Sequence, residues 1–211
     1  MAYVALALQI IFLLTAFALR TLVHARHTGS TGFRAGAQRS PTELFGAGGI
    51  TAALLLSGAG VVLGSLGVLD PIGFLDHTLI NGVGVAASLV GIALVLRAQA
   101  DMGASWRIGV DQAERTQLVT DGLFRWSRNP VFLGMLIFWT GIALIVPNSV
   151  AIVAVFLAVA AVEVQVRMVE EPYLIRAHGA TYQEYATSTG RLVPGIGKEG
   201  LEGLRGEACE D

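Results

Sequence analysis

The sequence predicts an all-α polytopic membrane protein with about five transmembrane helices, N-terminus outside and C-terminus cytoplasmic, plus a cytosolic amphipathic C-terminal segment. Three observations predict it. Of 211 residues, 54% are hydrophobic and only 14% are charged, a balance few soluble domains have. Several apolar runs approach or reach the roughly 20 residues a helix needs to cross a bilayer. Every Lys and Arg falls in the first loop, the third loop, the last turns of the fifth run or the C-terminal segment, which is the positive-inside pattern for an odd number of spans.

The first run, Ala2 to Leu19, has no charged residue ahead of it, and Arg20, His24, Arg26 and His27 follow it. A cleaved signal peptide carries its positive charge before the apolar run, so this run reads as a retained first helix. His24 and His27 lack a nearby carboxylate to complete a metal set and read as a loop pair at the lipid headgroups. Residues 28–41 are rich in Gly, Ser and Arg and read as a polar loop. The second run, Phe45 to Leu69, holds Gly60, Gly64 and Gly67. Small residues at this spacing let membrane helices approach closely, within one chain or between two. Gly58-Ala59-Gly60 lies inside that run with no strand before it, so it is no nucleotide loop.

The acidic connection Asp70–His77 leads to the third run, Leu79 to Leu96, with Gly84 and Ser88, and Ala87 and Gly91, as further small-residue pairs and Asn81 near its outer end. From Arg97 to Arg128 the chain is polar over about 30 residues, a length more often functional than passive, with Trp106 and Trp126 as interfacial anchors. The fourth run, Val131 to Val146, and the fifth, Val150 to Val169, meet at the turn Pro147-Asn148 as a helical hairpin. Beyond Pro172 the chain is amphipathic, and from Gly195 it reads as a loose tail. Three regions result: N-terminal helices (1–100), a cofactor-binding and catalytic half (101–195) and a flexible tail (196–211). The lone Cys209 allows no internal disulfide and no cysteine-based zinc site, and no basic stripe interleaved with aromatics points to nucleic acid.

Chemistry concentrates where the polar loop meets the fourth run. Arg128-Asn129-Pro130 reads as a helix start: Asn is a preferred N-cap, and Pro suits the first helical position. Unpaired amides and the positive end of the helix dipole then sit beside Arg125 and Arg128, a site for an anionic group such as a carboxylate. At the end of the fifth run, Glu163 and Arg167 share a helix face. They form either a salt-bridged helix end or catalytic groups facing a substrate, since ionisable residues in membrane helices are usually paired or functional. The adjacent Glu170 and Glu171 suit a ligand with a cationic or hydrogen-bond-donating group.

Gly122-Leu123-Phe124, then Arg128-Asn129-Pro130-Val131-Phe132-Leu133-Gly134, then Glu170-Glu171, then Gly179, Tyr182, Tyr185, Arg191 and Pro194 resemble the isoprenylcysteine carboxyl methyltransferase family and the related membrane phospholipid methyltransferases. The resemblance covers about residues 103–195; the N-terminal helices match only as generic spans. It implies S-adenosylmethionine as methyl donor, with S-adenosylhomocysteine as product. The implied cofactor pocket takes in Thr116, Gln117, Leu118 and Val119, the turn aromatic Phe124, the block Arg128, Asn129, Pro130, Val131 and Phe132, and Glu170 with its neighbour Glu171. Arg167 aligns with an arginine that handles substrate, with Glu163 beside it. The family's histidine is Asn129 here and its tyrosine is Phe132. Asn can still donate and accept a hydrogen bond, whereas Phe132 replaces no hydroxyl.

The expected activity is methyl transfer to a small lipophilic acceptor, a carboxylate, thiol or lipid amine, in the inner membrane of a bacterium with the site facing the cytoplasm. Membrane lipids are the other expected partners, and no metal is required. The rival readings are an NADPH-dependent reductase of the sterol reductase type and a non-enzymatic membrane scaffold.

Overall fold

A computed structural model describes residues 1–29, 31, 41–106 and 117–198. Among these the chain is helical, and its only sheet-like pairing is one isolated parallel bridge between Ser127 and Gly190. Among the described residues eight α-helices run in order: α1 Ala2–Leu13, α2 Arg20–Thr28, α3 Pro41–Ser65, α4 Thr78–Met102, α5 Pro130–Ile145, α6 Ser149–Gln165, α7 Glu171–His178 and α8 Ala180–Ser188. The π-type turns Leu14–Leu19 and Val166–Glu170 join α1 to α2 and α6 to α7, so each pair is one continuous rod. Among the described residues four helices are long and apolar enough to cross a membrane: Ala2–His27, Pro41–Ser65, Thr78–Met102 and Ser149–His178. The protein is an all-α polytopic membrane protein.

The fourth apolar run does not reach that length. α5 has 16 residues, about 24 Å at 1.5 Å per residue, against a hydrocarbon core of about 30 Å. Its interior position compensates, since most of α5 is buried, Phe138, Trp139 and Ile142 almost completely. Two other expected boundaries move outward. The first helix runs on through Arg20–Thr28, so His24 and His27 lie on a helix and not in a loop. It ends at Gly29, whose φ of 73° suits glycine and whose amide donates to the Ala25 carbonyl at 2.9 Å. The third continues past Leu96 to Met102, with Arg97 and Asp101 paired one turn apart at 2.9 Å.

Two antiparallel pairs build the bundle: α4 lies along α5, and α3 along α6. Glycines make the first pair close. A Cβ on Gly84 would stand 2.7 Å from the Gly141 carbonyl, and one on Gly91 would stand 2.6 Å from the Gly134 carbonyl and the Phe138 nitrogen. The small-residue spacing is thus used within one chain. Asn148 locks the second pair from the α5–α6 turn. Its side chain accepts from the Ala151 amide at 2.9 Å, capping α6, and donates to the Gly60 carbonyl of α3 at 2.9 Å. The N-terminal rod closes the core: Phe12 stacks on Phe138 with centroids 4.2 Å apart. The Gln9 amide donates to the buried Ser57 hydroxyl at 2.8 Å.

At the far end of that rod, the Gln99 amide of α4 donates to the Ala16 carbonyl, inside the π-type turn, at 2.9 Å. One residue too many per turn frees a carbonyl from the helix ladder, and Gln99 takes it. Arg20 lies over the Trp106 ring at 5.3 Å and donates to the Gly103 carbonyl at 2.7 Å, while His24 meets the same ring edge-on. Trp106, expected as a surface anchor, is buried. Trp126 is exposed, as an anchor is.

Candidate functional site

The polar residues gather at one end of the bundle, where α4 ends, α5 begins and α6 passes into α7. Residues 189–198 fold back onto the approach to α5. The Arg128 amide donates to the Gly190 carbonyl at 2.8 Å, beside the Ser127–Gly190 bridge. Asn129 stands at the N-cap of α5, but its side chain caps nothing. Its amide donates instead to the Arg191 carbonyl at 3.0 Å, while its backbone N–H donates to the Ser127 hydroxyl at 3.1 Å. The expectation of a capping asparagine is therefore corrected. The returning segment puts a carbonyl within reach, and an amide can donate to it where an N-cap could only accept.

A carboxylate of the chain itself pairs with Arg128. Glu171 is 5% exposed. Its Oε1 lies 3.1 Å from Arg128 Nη1, and Arg191 Nε donates to Oε1 at 2.8 Å and Oε2 at 3.0 Å. The other guanidinium nitrogen of Arg128, Nη2, donates to the Gly197 carbonyl at 2.7 Å. One buried carboxylate thus holds two cations from distant stretches, an arrangement whose pairing must offset a large desolvation cost. Arg125 stays exposed outside it.

A second tie holds the turn Gly122–Arg125 against α8. The Tyr185 hydroxyl donates to the Phe124 carbonyl at 2.6 Å. Burial pushes the phenol above its ordinary range, and the nearby Arg128 charge only partly offsets this, so Tyr185 remains a donor. Tyr182 is buried behind it, its ring edge-on at 6.1 Å.

The other expected site residues separate into groups. Pro130 is buried; Val131 and Phe132, in the first turn of α5, are half-buried, and Phe124 is buried. Gln117 is exposed and Leu118 and Val119 are half-buried; Thr116 lies outside the described residues, as does Cys209. Glu170 is half-buried, and Gln165 donates to it at 3.4 Å. Glu163 and Arg167 pair with each other one turn apart, their side chains 36% and 57% exposed. That pair does not join the Glu171 cluster. Arg191, which holds the cluster together, and Tyr185, which ties the turn to α8, were legible only as parts of a family pattern. Gln165 interrupts the end of the fifth apolar run in the sequence without pointing to a role, and Asp101 carried no signal. Among the described residues no group of three or more His, Cys, Asp or Glu could hold a metal ion.

Residues 79–181 match the phospholipid methyltransferase family. The match takes in nearly all of α4, earlier than residue 103, and stops at the start of α8, before Tyr185 and Arg191. The chain is also similar to protein-S-isoprenylcysteine O-methyltransferase A of Arabidopsis thaliana, 31% identical over 124 residues. That alignment covers 58% of this chain and 63% of the relative, so the chain spans under two thirds of the relative's length. Both findings bear out the resemblance drawn from the sequence blocks.

Proposed function

We propose, since residues 79–181 match the phospholipid methyltransferase family, that this membrane protein transfers a methyl group from S-adenosylmethionine to a small lipophilic acceptor. The observation that carries the reading is that this matched stretch contains both the α5 entrance and Glu170-Glu171, which the fold brings to one end of the bundle. The positive-inside pattern supports a cytoplasmic position for that end.

The residues present fit such a donor. Because Asn129 spends its amide on Arg191, no side chain caps the first turn of α5. The N–H groups of Val131 and Phe132 there favour a carboxylate such as the donor's amino-acid end. Glu170, half-buried, suits the donor's ammonium or ribose hydroxyls. Phe124, Val131, Phe132, Leu118 and Val119 offer apolar surface, and Gln117 a polar edge. Arg128 and Glu171 act at one remove: paired with each other and with Arg191, they fix the wall. Bound, the donor supplies an activated methyl on sulfur, so the chain has mainly to align the acceptor and keep water out. Glu163 and Arg167, exposed enough to be reached from the bilayer, are the groups proposed to hold an anionic acceptor.

A reductase using NADPH would need cations for its extra phosphate. Of Arg125, Arg128 and Arg191, two are already held by Glu171. The test is titration of the purified protein with S-adenosylhomocysteine and with NADPH. Binding of the first should raise thermal stability by mass action, and Glu170→Gln should weaken it by about 1–3 kcal/mol through loss of a charge-assisted hydrogen bond. Binding of NADPH alone would end the methyltransferase reading.

A further inference from the structure

We propose that Asp101, at the end of α4, is a positioning residue of the donor site: its carboxylate caps the Gly122–Arg125 turn from outside and fixes that turn against the third span. The inference rests on the reading of the site as a methyl-donor pocket. Local helix energetics argue against an acid at this position. An acidic side chain in the last turn opposes the helix dipole. The pair it makes with Arg97 has the basic residue on the N-terminal side, the weaker orientation, and Arg97 is 67% exposed. Asp101 itself is only 10% exposed.

Its tertiary contacts supply the reason. One carboxylate oxygen faces Arg97 at 2.9 Å, and the other accepts the Leu123 amide at 2.9 Å. Leu123 stands inside the turn, where an N-cap side chain ordinarily bonds. The turn's own N-cap, Asp121, makes no such bond. Gly122 completes the fit. Its φ is 62°, and a Cβ there would collide with the Asp101 carboxylate. The turn is therefore held at two points, by Asp101 at the Leu123 N–H and by Tyr185 at the Phe124 carbonyl. Candidate donor contacts flank it on both sides, Gln117–Val119 before and Asn129–Phe132 after. Releasing the Asp101 end would let these two stretches move relative to each other.

The full chain, purified in detergent, is titrated calorimetrically with S-adenosylhomocysteine as wild type, Asp101→Ala, Asp101→Asn and Arg97→Ala. Melting temperatures and hydrogen exchange across 121–126 are measured alongside. Asp101→Ala should weaken binding about tenfold, the loss of one charge-assisted hydrogen bond, and speed exchange at the turn. Asp101→Asn keeps an acceptor for the Leu123 amide and should restore most of the affinity. Arg97→Ala should bind as wild type does. If wild type binds and Asp101→Ala binds equally well, or Asn fails to rescue, the positioning role is overturned while the donor site stands. If wild type itself binds no S-adenosylhomocysteine, the donor reading falls and this assignment falls with it.

Discussion

Two arginine–carboxylate systems lie a few residues apart on one continuous rod, and they differ in everything but chemistry. Glu163 and Arg167 are neighbours one turn apart, both more than a third exposed. Glu171 is buried and takes its cations from Arg128, before α5, and from Arg191, beyond α8. The first pair is a local property of one helix. The second exists only when three separate stretches have come together, so it defines the architecture of that end. Exposure sets the energies apart as well: an open pair contributes little, whereas removing one partner of a buried set leaves a charge without compensation.

The largest test of this contrast is Glu171→Gln. It leaves Arg128 and Arg191 without their carboxylate in a buried site, and should cost about 3–5 kcal/mol in denaturant or thermal unfolding. It should also loosen residues 189–198 as followed by proteolysis. A loss under 1 kcal/mol would make the buried system no different from the exposed one. Asn129→Asp probes the same junction on its backbone side. Aspartate is a good N-cap but cannot donate to the Arg191 carbonyl. It should therefore destabilise by about 1–3 kcal/mol, as a buried acceptor is left unmet. Wild-type stability in that variant would show capping to be the role of this position after all.

Tyr185→Phe should cost less, about 0.5–1.5 kcal/mol for a single neutral hydrogen bond. Its pH dependence has a definite sign. Burial raises the folded-state value, so the phenol's contribution is fully present below the unfolded tyrosine value of about 10 and is lost as pH rises beyond it. An alkaline stability scan should fall more steeply for wild type than for Tyr185→Phe. Smallest of all is Arg167→Lys, expected to change stability by about 0–1 kcal/mol. Its effect on turnover is the informative part. If Arg167 orients an anionic acceptor, losing its planar fork should depress methyl transfer while S-adenosylhomocysteine still binds. Normal turnover would make Glu163–Arg167 a surface pair and nothing more.

The same contrast explains what could be read from the sequence. Apolar runs and charge placement are local signals, and they revealed the spans, the Pro147-Asn148 turn and the α5 entrance. Glu163–Arg167 was visible for the same reason, being a spacing of four on one helix. Charged residues at the run ends misled, because Arg20–Thr28 and Arg97–Met102 remain helical, with Arg20 over Trp106 and Asp101 bonded to the Leu123 amide. Partners far apart in the chain leave no periodic trace. Nothing near Glu171 announces Arg128 or Arg191, and nothing near Asp101 announces Leu123. Asn129 was placed correctly at the helix start, yet its bond went to a segment whose return could not be foreseen from spacing.

The parallel bridge between Ser127 and Gly190 has a consequence for biosynthesis. The chain reaches the ribosome exit in order, so the stretch that opens α5 emerges long before the one it pairs with. Glu171 appears after the α5–α6 hairpin, and Arg191 arrives later still. Completion of the polar junction thus waits on the stretch that carries Gly190 and Arg191. A nascent chain stalled with residue 190 still inside the ribosome would have an α5 entrance without its returning segment, and site-specific crosslinking between positions 127 and 190 would fail there and succeed in the finished protein.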